Sequence, residues 1–178
     1  MKRLLGICCL LFATAALTLA QSPAPAAELQ MLNVSVGRWV FHGTSHNPRT
    51  GKDGTWTWNE DCAWSSNHTF LECTFSNVWS GRAAESLVVD TYNVPDHSFW
   101  HYEMYSSGSP GAHPFAARMD VAGNTWIEHG RDAVPGKSAG QRIVYKWDPP
   151  NRVAVTIESS KDGAHWTVVD KGEGVKQP

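Results

Sequence analysis

Cysteine, basic charge and long apolar segments are all scarce in this sequence of 178 residues. It holds four cysteines, and its 15 Lys and Arg stand against 17 Asp and Glu, for a formal net charge of −2. No basic run or patch is present, and a protein that binds nucleic acid usually carries one. We therefore expect neither nucleic acid nor an anionic membrane surface as a partner.

The single long apolar run lies at the N-terminus. A basic start, Met1-Lys2-Arg3, precedes an uncharged apolar stretch over residues 4–19, and small residues lead up to Ala20. This pattern is typical of a secretory signal peptide, and the stretch is shorter than the ~20 residues that a membrane-spanning helix needs. We predict a signal peptide over 1–20, a flexible spacer over 21–27 and a single domain over 28–178. The expected location is outside the cytoplasm, in a bacterial periplasm, with no membrane anchor after cleavage.

Two cysteines remain after the predicted cleavage, Cys62 and Cys73. In an oxidising compartment an isolated pair is most simply a disulfide. A hairpin turn at Asn67-His68 would place Cys62 opposite Cys73, Trp64 opposite Leu71, and Trp56 opposite Trp79. The same register brings the aromatic side chains to one face of the hairpin, so the disulfide and the aromatic pattern support each other.

The rest of the chain consists of short strand patterns separated by turns rich in Gly, Pro, Asn and Asp. Trp56, Trp58, Glu60, Cys62 and Trp64 alternate with polar residues, as in a half-buried strand, and similar patterns follow at short intervals. A meander of this kind must close or expose its edges. We predict an all-β protein, an antiparallel up-and-down barrel of about 8–10 strands with a short N-terminal helix. All nine tryptophans fall in predicted strands, and most of them are explained as core.

The opening Gly37-Arg38-Trp39 after a short helical lead-in resembles the Gly-x-Trp start of the lipocalin-like (calycin) barrels. The whole mature chain is similar to secreted bacterial proteins of the DUF1579 family, through Val89-Asp90-Thr91-Tyr92-Asn93 and Ser160-Lys161-Asp162-Gly163-Ala164-His165-Trp166 among other stretches. The resemblance implies a barrel in which Gly37 and Trp39 have structural roles, with Trp39 as a buried plug. It transfers no catalytic residue.

Several side chains with the chemistry of a binding site share the predicted inner face. His101 and Glu103 lie two residues apart on one strand beside Phe99, and Glu60 shares its parity with Trp58. If the strand phases are right, Trp58, Glu60, Phe99, His101 and Glu103 line the interior together. Aromatic walls with a few convergent polar groups are typical of small-molecule pockets.

Three functions stay open on this evidence. The first is a small apolar or amphipathic ligand bound inside the barrel; the second is an interaction or structural barrel with a filled core. The third is an enzyme that uses His101 and Glu103 as acid and base. The sequence holds no nucleophile, phosphate-loop or metal motif, so we expect no catalytic residues and no metal. We expect no cofactor either. Haem is the alternative, because another barrel family with a similar opening binds haem through a late histidine, here His129 or His165.

Overall fold

The protein is described by a computed structural model that covers residues 26–47, 50–79, 82–106, 113–130 and 140–178. The predicted signal peptide and all but the last two residues of the predicted spacer lie outside the described residues. Within them, no helix is long and apolar enough to cross a membrane.

One helix and ten strands make up the described part of the chain. A 3₁₀ helix over Ala27–Ser35 comes first. The strands are β1 (Gly37–Asn47), β2 (Lys52–Trp64), β3 (Phe70–Trp79), β4 (Arg82–Asn93), β5 (Ser98–Tyr105), β6 (His113–Ala122), β7 (Thr125–His129), β8 (Gly140–Asp148), β9 (Arg152–Ser160) and β10 (Trp166–Lys176). Each strand pairs with its neighbours in sequence, and β1 also pairs with β10, so the sheet closes into an antiparallel barrel. The predicted fold class is confirmed, and all nine tryptophans lie in strands.

The last strand is longer than the sequence pattern predicts. The alternation indicates a strand over 165–170, whereas β10 continues to Lys176 and closes the barrel along β1. The extension holds Gly172 and Gly174, which weaken a strand signal. In the barrel they are required, because a methyl group at Gly174 would overlap the Phe41 ring and one at Gly172 would overlap Trp56.

The β2–β3 hairpin has the predicted register. Cys62 pairs with Cys73, Trp64 with Leu71 and Trp56 with Trp79. The predicted two-residue turn is wrong in detail. The loop spans 65–69, and the residue with positive φ is His68, at 54°, rather than Asn67. The Asn67 side chain instead accepts hydrogen bonds from the hydroxyls of Ser65 and Thr69, which hold the wider loop.

The predicted disulfide joins Cys62 and Cys73, both buried inside the barrel. We expect its removal in a Cys62→Ser/Cys73→Ser double variant to destabilise the protein by roughly 2–4 kcal/mol, because the unfolded chain loses a cross-link. Urea denaturation of the variant against the oxidised parent checks this value. Free thiols on both residues in unreduced, unfolded protein would contradict it.

Trp39 closes the end of the barrel beside the helix. Its side chain is only 1% exposed, and its indole N–H donates a hydrogen bond of 2.9 Å to the Ser35 carbonyl at the end of the helix. It packs edge-on against Trp147 at 5.2 Å between ring centroids. Gly37, just before it, has φ +106°, a conformation that L side chains rarely adopt. Trp39 is thus buried where the helix meets the barrel, and Gly37 has the left-handed backbone that favours glycine.

Candidate functional site

Four ionisable side chains from four strands meet inside the barrel. Each of the four is at most 8% exposed: Glu60 of β2, Asp90 of β4, His101 of β5 and Glu128 of β7. We call them the interior acid–histidine cluster. Asp90 and His101 face each other directly across the β4–β5 pair. Buried charges are costly unless they are paired, so the cluster must neutralise itself.

His101 is the charged centre of the cluster. Its Nδ1 lies 2.8 Å from an Asp90 carboxylate oxygen, and its Nε2 lies 3.9 Å from Glu128. Burial alone would lower the pKa of His101, but the negative charges of Glu128 and Asp90 and the hydrogen bond with Asp90 outweigh burial and raise it to about 10. At neutral pH the ring is therefore an imidazolium ion, with its charge directed at two carboxyl groups.

Glu60 is the neutral member of the cluster. Burial, followed by repulsion from Asp90, raises the pKa of Glu60 to about 8, against the opposing effect of His101. One Glu60 carboxyl oxygen lies 2.9 Å from Cys62 Sγ. A disulfide sulfur has no hydrogen to donate, so the protonated carboxyl group is the donor in this contact. Because both cysteines are oxidised, their grouping with Glu60 offers no thiolate ligand for a metal.

A cavity of about 170 Å³ adjoins the cluster. Two cluster members, His101 and Glu128, line it, together with Trp58, Phe75, Asn77, Ser86, Val88, Glu103, Ile143, Tyr145 and Ile157. Burial raises the pKa of Glu128 and raises that of Tyr145 well above its usual value. The cavity therefore has a mainly apolar wall and a polar side that carries two acidic groups.

One buried polar atom of a residue that lines the cavity lacks a partner. Trp58 is 8% exposed, and its buried indole N–H has no hydrogen-bond acceptor among the described residues. The ring itself is held firmly, stacked on Trp56 at 4.6 Å and packed against Phe41 at 4.6 Å. A buried donor without an acceptor costs free energy, so an acceptor atom that reached this N–H would stabilise the protein.

A second space of about 20 Å³ lies on the helix side of the cluster, bordered by Ser35, Trp126 and Trp147. The indole N–H groups of both tryptophans also lack partners within the described chain. A space of this size has room for one water molecule. Such a water would accept a hydrogen bond from an indole N–H and donate one to a carboxylate of the cluster. The smaller space therefore has a structural role.

All five sequence-predicted ligand-binding residues point into the barrel. Trp58, His101 and Glu103 line the cavity, and Glu60 borders the smaller space beside it. Phe99 is 6% exposed but packs against Tyr92 at 4.9 Å and does not line the cavity. The sequence paired His101 with Glu103, whereas the hydrogen bond of His101 is with Asp90.

Sequence reasoning missed Asp90, Glu128 and Tyr145. Two signals were available. Glu128 lies two residues from Trp126, and Tyr145 lies two residues from Trp147. Both tryptophans are buried, so Glu128 and Tyr145 share the inner face of their strands. A four-residue loop between β4 and β5 would have placed Asp90 opposite His101, by the same counting that aligned the two cysteines.

The two histidines considered for haem lie elsewhere. His129 pairs with Asp120 at 2.7 Å, and both side chains are well exposed, at 36% and 56%. His165 is 90% exposed and bonds with Asp162 in the β9–β10 turn. A haem held inside the barrel would therefore take its ligand from neither residue.

Comparison with known proteins supports the fold and goes no further. No protein-family model matches the sequence, and no curated protein matches it. The DUF1579 resemblance therefore stays a hypothesis. The described residues form a closed antiparallel barrel of ten strands, which fits the barrel that the lipocalin-like resemblance implies.

Two solved structures share this architecture. Rv2717c from M. tuberculosis matches with a TM-score of 0.56 and 15% identity, over 86% of this chain and 99% of that chain. The S-type phycobiliprotein lyase CPES from Guillardia theta matches with a TM-score of 0.57 and 9% identity, over 84% of this chain and 92% of its own. At these identities the similarity shows the fold alone.

Proposed function

We propose that this barrel binds a small amphipathic ligand in its interior cavity. The proposal rests on the cavity of about 170 Å³ beside the interior acid–histidine cluster. The walls of this cavity are aromatic and aliphatic, and its polar groups lie at one side. Small-molecule sites generally combine these two features. The unpartnered Trp58 N–H supports the proposal, since a ligand would supply its acceptor.

The volume limits the ligand to the size of a single ring. Drug-sized ligands occupy sites of roughly 300–1,000 Å³, while an engineered cavity of about 150 Å³ is enough for benzene. The space bounded by the described residues, about 170 Å³, therefore suits a molecule of roughly six to ten non-hydrogen atoms. Haem and long-chain fatty acids are too large for it.

We propose in addition that the protein acts outside the cytoplasm, with residues 1–20 as a signal peptide. The buried Cys62–Cys73 disulfide supports this location, since such bonds persist in oxidising compartments.

An enzymatic role for His101 has less support. A general base works best with a pKa near the operating pH, and the pKa of His101 is raised to about 10. The ring is already protonated at neutral pH, and its Nδ1 is engaged with Asp90.

A protein-interaction role is the second candidate. Four large apolar residues on the outer face of β3, β4 and β5 are each 39–47% exposed: Val78, Leu87, Tyr102 and Met104. Leu87 and Met104 are direct cross-strand partners there. Exposed apolar groups of this kind mark interaction surfaces when they are contiguous.

Titration of the tryptophan fluorescence tests the ligand proposal, because Trp58 lines the cavity. The test ligands are single-ring compounds of matched size: toluene, benzyl alcohol, benzylamine and benzoate. We expect a saturable change with at least one of them. Val88→Phe fills the cavity from a residue 1% exposed and should abolish the response, while Leu87→Phe on the outer face, 39% exposed, should keep it.

Two results would overturn this proposal. One is the lack of a saturable response to every compound. The other is unchanged binding in a folded Val88→Phe variant, which would place the ligand outside the cavity and leave the interaction role as the better explanation.

A further inference from the structure

We propose that the ligand is a small organic ammonium ion that also carries a hydroxyl or carbonyl oxygen. The inference rests on the proposed function and specifies the chemistry of the same cavity. It follows from the charges around the cavity, its aromatic wall and one unpartnered donor.

Acidic groups outnumber cationic groups around the cavity. Glu103 and Glu128 line it and Asp90 lies just behind them, while Glu60 beside Asp90 is protonated at neutral pH and adds no charge. In the described part of the chain, His101 is the cationic side chain that lines the cavity, and its charge is already directed at Asp90 and Glu128. Glu103 attracts the His101 charge only from a greater distance and forms no ion pair with any described residue, so a positive charge on the ligand would balance it. Such a pair is strengthened inside a protein, where the effective dielectric constant is well below that of water.

The aromatic wall favours the same sign of charge. Trp58, Phe75 and Tyr145 border the space in which the ligand would lie. The face of an aromatic ring is the negative end of its quadrupole and attracts ammonium groups within about 6 Å of the ring centroid. An anionic ligand would be repelled by the carboxyl groups and would gain no attraction of this kind from the rings.

The indole N–H of Trp58 requires a different group on the ligand. An ammonium ion has only hydrogens to offer and accepts no hydrogen bond. The N–H is buried and has no acceptor in the described structure. An oxygen on the ligand would satisfy it, and the Ser86 hydroxyl and Asn77 amide at the same cavity offer further polar contacts. A molecule with both an ammonium group and an oxygen meets both requirements.

Isothermal titration calorimetry at pH 7 with size-matched compounds tests which charge on the ligand the cavity prefers. We expect benzylamine to bind at least tenfold more tightly than benzyl alcohol, and benzoate not to bind. Glu103→Gln should remove most of the benzylamine advantage, whereas Glu72→Gln, at an exposed position on β3, should leave it unchanged. The melting temperature of each variant shows that it is folded.

The requirement for an oxygen on the ligand is tested with 3- and 4-hydroxybenzylamine. We expect one of these isomers to bind several-fold more tightly than benzylamine. Trp58→Phe keeps an aromatic ring, though a smaller one, and removes the N–H, so it should abolish that gain while benzylamine still binds. Equal affinity of both isomers and benzylamine for the parent protein would overturn this half of the inference.

The outcomes separate this inference from the proposed function. Binding of benzyl alcohol or benzoate as tight as that of benzylamine would overturn the ammonium assignment and leave a ligand-binding cavity. Failure of all the compounds to bind would overturn both, and the cavity would then hold water only.

Discussion

Replacing Trp39 with alanine should destabilise the protein by about 3–5 kcal/mol, the usual cost of truncating a large buried aromatic residue. The side chain is 1% exposed and contacts both the helix, through the Ser35 carbonyl, and Trp147. Its loss would leave a void where the helix closes the barrel, together with an unsatisfied carbonyl. Urea denaturation at neutral pH measures the free energy of unfolding.

Trp100→Ala is the matched control. Trp100 is on β5 with a half-buried ring that stacks on Tyr102, which is 45% exposed. We expect it to cost less than half as much as Trp39→Ala, because solvent fills the space that the ring leaves. Equal losses for the two variants, or a near-neutral Trp39→Ala, would show that Trp39 does not close the barrel.

Stability should fall as the pH rises from 5 to 8. The pKa of Glu60 is about 8 in the folded protein against an ordinary 4.5, so the folded state keeps a proton that the unfolded chain loses. The stabilisation is fully present below pH 4.5 and is lost as the pH rises through 8. His101, with its pKa raised from 6.5 to about 10, acts in the same direction between those values. The raised pKa values of Glu128 and Asp170 have the same sign.

Among the acidic residues that the structure describes, Asp162 has a pKa shift of the opposite sign. Hydrogen bonds from His165 and Ala164 hold the pKa of Asp162 below its ordinary 3.8, so its contribution is lost only in strong acid. At 1.36 kcal/mol per pH unit, Glu60 alone would account for at most about 4 kcal/mol between pH 5 and 8. For a domain of this size that corresponds to a fall of roughly 8–16 °C in melting temperature.

Thermal unfolding by circular dichroism at pH 5, 6, 7 and 8 measures the effect. Glu60→Gln keeps the shape and removes the titration, so its melting temperature should depend less on pH and exceed that of the parent at pH 8. Asp61→Asn changes the next residue on the outer, exposed face of β2 and should show the parent's dependence. A stability that rises with pH between 5 and 8 in the parent would contradict the buried, protonated state of Glu60.

The side chains of β2 that share one face were predicted from the sequence itself. Alternation along β2 placed Trp58, Glu60 and Cys62 inside, and the hairpin count paired Cys62 with Cys73. Both features are local, because successive side chains of a strand point to opposite faces and a short loop aligns the two strands that it joins. The same logic predicted that His101 and Glu103 would face inward.

The tertiary structure alone decided what these residues meet. Glu60 on β2, His101 on β5 and Glu128 on β7 become neighbours only when the barrel closes, since the stagger of all ten strands determines which side chains share a level of the interior. The nine tryptophans left it undecided whether the interior was filled or open. The packing of Trp39, Trp126 and Trp147 fills the helix end, and about 170 Å³ stays open beyond the cluster. That balance depends on how large rings from distant strands interlock, which no local pattern encodes.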